Sequence, residues 1–66
     1  MQMPVKSQLI EAIDYDESSC LLRLYLTNGT RREFVEVPKT VVSELLSARS
    51  AGQYYFDNIR NRYPAL

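Results

Sequence analysis

Arginines set beside aromatic residues are the one combination in this chain whose types and spacing point to chemistry. Arg23 and Tyr25 stand two apart, Arg31 and Arg32 are adjacent, and Arg60, Arg62 and Tyr63 lie together near the chain end. A guanidinium grips a phosphate through paired N–H donors, and an aromatic ring stacks on any nucleobase, so the pattern has the parts that single-stranded nucleic acid requires. The same residues also suit a solvated sheet face, on which Arg23, Arg31 and Glu33 would keep one another soluble. Eight basic residues balance eight acidic ones, whereas a nucleic-acid-binding domain usually carries a basic excess. The imbalance is local: residues 49–66 hold Arg49, Arg60 and Arg62 against Asp57, and residues 1–20 hold Lys6 against Glu11, Asp14, Asp16 and Glu17.

Catalytic chemistry is poorly supplied. The chain has no histidine, which removes the commonest general acid/base and the commonest metal ligand. Cys20 is the single cysteine, so it has neither a disulfide partner nor an imidazole to activate it. It reads as a small core residue at a strand start, carried inward with Leu22 and Leu24 and slow to modify. Asp14, Asp16 and Glu17 could offer oxygens to a hard cation, but no glycine follows to shape a loop around one, and a solvated acidic turn is the expectation. No phosphate loop, dinucleotide fingerprint or nucleophile elbow is present. The expectation is a non-catalytic domain with no cofactor and no metal.

The elements that must position these residues centre on Cys20 to Pro38. Asn28-Gly29 between two apolar runs is a strong hairpin signal, because Asn and Gly take positive φ cheaply. Leu22, Leu24 and Leu26 share one face of the first strand, and Leu21, Arg23 and Tyr25 share the other. A two-residue loop would set Arg31, Glu33 and Val35 beside the leucines. A three-residue loop with Gly29 in the bulge position would set Arg32, Phe34 and Glu36 there, and the Phe34 contact with Leu22 and Leu24 favours it. Upstream, residues 8–15 read as a strand, but Ile10 to Ile13 is an odd step that requires a β-bulge near Glu11-Ala12. The turn Asp16-Glu17-Ser18-Ser19 joins it to Cys20.

Downstream, Pro38 suits the first position of a helix, and Val41, Val42, Leu45 and Leu46 follow as one apolar stripe. Ser50 and Gln53 have capping-box spacing at the start of a second helix, and Gly52 in its first turn permits close approach of another element. On that helix Tyr55, Phe56, Ile59 and Tyr63 cluster on one side, while Tyr54 falls nearly opposite, either exposed or packed on the first helix. Pro64 is expected to stop it. The predicted fold is α+β: one domain over residues 1–66, a three-stranded antiparallel meander with two C-terminal helices packed on one face. No run reaches the roughly 20 apolar residues of a membrane span, and residues 1–8 lack the apolar core of a secretory signal. With a lone cysteine, these features make a cytoplasmic protein the expectation.

The order of residues resembles the KTSC domain. The resemblance rests on Ser7, Ile10, Ile13, Tyr15 and Asp16, on the alternating leucines before Asn28-Gly29, and on Phe34, Val37 and Pro38. It continues through Ala48, Ser50, Gly52, Tyr54 and Tyr55 to Ile59, Arg60 and Tyr63, so it covers residues 7–64. The family takes its name from a C-terminal extension of some lysyl-tRNA synthetases and also includes small free-standing bacterial and phage proteins. The resemblance implies a small domain of unassigned function, with RNA binding suggested by the synthetase context. The family's central Y-x-Y falls on Arg32 and Phe34, which lack both phenol hydroxyls, and Phe56 replaces a frequent asparagine.

Two functional readings follow. One is a weak, sequence-tolerant RNA-binding module using Arg23, Tyr25, Arg31, Arg32, Arg60 and Arg62. The other is a protein-interaction module or homodimer that buries aromatics such as Tyr54 and Tyr25 and pairs a strand edge, since a domain this small often gains stability by association.

Overall fold

The computed structural model describes residues 2–4 and 8–66, so Ser7, the first residue of the resemblance, lies outside the described residues. Four strands form one antiparallel sheet in chain order: β1 (Gln2–Pro4), β2 (Ile10–Asp16), β3 (Leu21–Leu26) and β4 (Arg31–Phe34). Two helices follow, α1 (Lys39–Ser47) and α2 (Ala51–Asn58). The meander and the two helices match the predicted α+β fold. The short β1, paired with β2 through Met3 opposite Ile13, is an addition at the sheet edge.

The period-two pattern of β3 decides the layering. Leu22, Leu24 and Leu26 are buried, while Leu21, Arg23 and Tyr25 are half-buried on the outer face. In β2 the register shifts between Ile10 and Ala12, so Ile10 and Ile13 both reach the core despite their odd spacing. The β3–β4 hairpin takes the three-residue loop. Leu26 N–H donates to Thr30 O at 2.8 Å, Gly29 holds φ +90°, and Phe34 sits opposite Leu22. Asn28 steadies the loop by accepting from Thr30 N–H at 3.0 Å. Arg32 shares the face of Phe34 but is exposed. Glu36 lies past the strand at φ +61° and exposed, so it does not join the leucines.

Cys20 also departs from its predicted inward placement. It is the last residue of the β2–β3 turn, with φ +57°, and is only partly buried, its Sγ 3.9 Å from Glu17 O. A left-handed residue interrupts the alternation that would have aimed it at the core. Its carbonyl accepts Val37 N–H at 3.0 Å, and Tyr15 Oη donates to Val37 O at 2.6 Å. These two bonds sew the crossover between β4 and α1 to the sheet. Burial and the neighbouring Cys20 push the Tyr15 phenol up to about 12.

Pro38 proves to be the extended residue before α1, and its carbonyl accepts Val41 N–H at 3.1 Å. Ser50 caps α2 by accepting Gln53 N–H at 3.2 Å, but Gln53 Nε2 turns to Asp57 Oδ2 at 2.9 Å and not back to the cap. Both helices cover the leucine face. Val42, Leu45, Ala51, Tyr55 and Ile59 join Ile10, Ile13 and Phe34 in one core, and the Phe34 and Tyr55 rings meet edge to face at 5.9 Å.

Pro64 does not end α2, which stops at Asn58, where Arg60 N–H turns to the Tyr55 O that the last helical donor, Ile59 N–H, already uses. The chain then returns along β4. Val35 N–H donates to Pro64 O at 2.9 Å, and Leu66 N–H donates to Glu33 O at 2.8 Å. This tail covers a strand edge that would otherwise present unpaired amides.

Candidate functional site

Strand pairing brings Asp14, Arg23 and Glu33 side by side on the outer sheet face, since Asp14 faces Arg23 and Arg23 faces Glu33 across the ladder. Arg23 Nη1 lies 3.3 Å from Asp14 Oδ2, and its Nε lies 3.1 Å from Glu33 Oε2. Arg31 Nε is 3.6 Å from the other Glu33 oxygen. The result is a ladder of alternating charge in which Arg23 already has two carboxylate partners. Its guanidinium pKa is raised, first by the Glu33 bond and then by Tyr25. Tyr25 lies half-buried in the same layer, opposite Arg31 and beside Ala12.

The carboxylates of the first turn also go to separate partners. Asp14 meets Arg23, Asp16 accepts from Ser18 N–H at 3.1 Å and Ser18 Oγ at 2.7 Å, and Glu17 meets Lys39 Nζ at 3.4 Å. The serine bonds hold the Asp16 carboxyl below its usual range.

Arg60 and Arg62 follow α2, on the side of the sheet away from that ladder, so the six predicted RNA-contacting residues divide between two sides of the molecule. Among the described residues Arg32, Arg49, Arg60 and Arg62 make no ion pair. Arg60 lies over the ring of Phe56, its Cζ 5.1 Å from the ring centroid, a cation–π distance. Phe56 is 49% exposed, although it shares the helical-wheel side of the buried Tyr55 and Ile59. It lines an open groove of about 610 Å³ together with Leu9, Arg49, Gly52 and Gln53. Arg49, Phe56 and Leu9 were not among the predicted contact residues. The Phe56–Arg60 spacing of four, which places two side chains together on a helix, was the available signal for Phe56, and none pointed to Leu9.

Tyr54 packs on α1, donating its Oη to Glu44 Oε2 at 2.6 Å. That bond, then burial, pushes the phenol from an ordinary value near 10 to about 12. A raised folded pKa means that the folded state holds this proton more tightly. The contribution is therefore complete below about pH 10 and is lost as pH rises through about 12. Urea midpoints should fall across that window, with Tyr15 adding to the decline. Tyr54→Phe should flatten the fall, and an equally steep fall in the variant would count against the Glu44 contact.

The KTSC domain family matches residues 6–63. A protein from Tsukamurella paurometabola is 36% identical over 63 residues, which span 96% of this chain and 94% of that one. The crystal structure of a KTSC domain protein from Yersinia pestis shares the fold at a TM-score of 0.93 and 23% identity, covering 100% of this chain and 93% of the other. The match spans the bulged β2, the Asn28-Gly29 hairpin and both helices, and this chain belongs to the KTSC domain family.

Proposed function

We propose that this protein is a non-catalytic binding module for single-stranded RNA, with weak and sequence-tolerant contacts. The observation that carries this reading is the division of the arginines. Arg23 and Arg31 are matched by Asp14 and Glu33, whereas Arg49, Arg60 and Arg62 flank α2 without an ion pair among the described residues, and Arg49 and Arg60 adjoin the exposed ring of Phe56. Unmatched guanidinium groups beside an aromatic face favour phosphate and base together. The kinship with a domain that extends some lysyl-tRNA synthetases supports the same ligand. The contact surface is then the α2 side with Arg32, and the trio Arg23, Tyr25 and Arg31 serves the sheet.

The test is a titration with mixed-sequence single-stranded RNA at low salt. Three arginines releasing about 0.7 counterion each predict a log–log salt slope of about −2. Replacing Arg60 and Arg62 by glutamine should weaken binding and flatten the slope, while Arg23→Gln should leave the slope unchanged. No binding at high micromolar protein overturns the RNA reading. A mass that grows with concentration, in the absence of RNA binding, favours self-association in its place.

A further inference from the structure

We infer that the groove beside α2 seats one unstacked base of the bound strand, with Phe56 as its stacking platform. This inference rests on the RNA reading and gives it a place. Phe56 is half-exposed on its helix, and one guanidinium already sits at its ring. The ring opens onto a groove whose volume, about 610 Å³, falls within the range of small-ligand sites.

Charge narrows the occupant. Arg49 is the charged side chain among the described residues lining the groove, and no carboxylate is among them. Asp57, the acid of the same helix, is engaged by Gln53 at 2.9 Å. Leu9 supplies an apolar wall. An acidic peptide would satisfy Arg49 and Arg60 without using the exposed ring surface of Phe56. A nucleotide uses both, its phosphate on the arginines and its base on Phe56. Every base presents a π-face, so the seat does not select sequence.

The chain contains no tryptophan, so Phe56→Trp installs a single fluorescent reporter at the seat. An eight-nucleotide oligoadenylate at low salt should quench it, and an abasic phosphodiester of equal length should not. Phe56→Ala, at a site outside the core, should keep the melting temperature. It should lower oligoadenylate affinity by about tenfold or more, with the salt slope unchanged because that slope counts phosphates. RNA that binds without quenching, or that binds Phe56→Ala at full strength, overturns the seat while the RNA reading stands. A wild-type protein that binds neither oligomer overturns both.

Discussion

Replacing Phe34 by alanine should abolish the cooperative thermal transition. Phe34 is 1% exposed, stands opposite Leu22 in the hairpin register and meets Tyr55 edge to face. Removing a buried phenylalanine costs about 3–5 kcal/mol, the lost transfer energy plus the cavity left behind. A chain of 66 residues at about 0.05–0.15 kcal/mol per residue has only about 3–10 kcal/mol in total. A large share of the stability goes with one ring, because this residue is where the hairpin, β3 and α2 converge. Phe34→Leu keeps part of the volume and should cost clearly less than Phe34→Ala. Circular dichroism melts of the two variants separate these outcomes. A sharp, near-native transition in Phe34→Ala would mean that α2 does not pack on β4 as described.

Adjacent leucines on α1 should behave oppositely. Leu45 is 0% exposed and Leu46 is 41% exposed, although the sequence places both on one apolar stripe. Leu45→Ala should cost about 2–5 kcal/mol by opening a cavity between α1 and the sheet. Leu46→Ala should stay within about 0.5 kcal/mol, as surface replacements do. Urea denaturation of the pair measures the difference directly, and similar losses would show that α1 is rotated from its described seating. Ala is also the better helix former, by a few tenths of a kcal/mol, which slightly favours the Leu46 variant.

Much of the fold was legible because strand alternation, turns and helix starts are local properties. The leucine alternation told which face of β3 is buried. The odd Ile10 to Ile13 step required a bulge, and the register shifts there. Asn28-Gly29 predicted the turn, and the bulk of Phe34 chose the three-residue loop over the two-residue one. Ser50 capped α2 from the predicted position. Cys20 and Glu36 escaped this logic because both take left-handed backbone, where alternation no longer applies.

The candidate site was less legible. That arginines and aromatics carry the chemistry was visible in the residues themselves. Which arginines were available was not, because Asp14 and Glu33 lie nine and ten residues from Arg23 and meet it only through strand pairing. Tyr54 likewise finds Glu44 ten residues away, and the tail at Pro64–Leu66 finds β4 across the whole helical layer. The helical wheel grouped Phe56 with Tyr55 and Ile59, yet the seating of α2 on the sheet buries two of them and leaves Phe56 at the groove. By itself the sequence determined the periods, turns and caps, because each is settled by neighbours within a few residues. Only the tertiary structure decided which charges cancel and which ring stays open, because register and helix seating join residues that no local period relates.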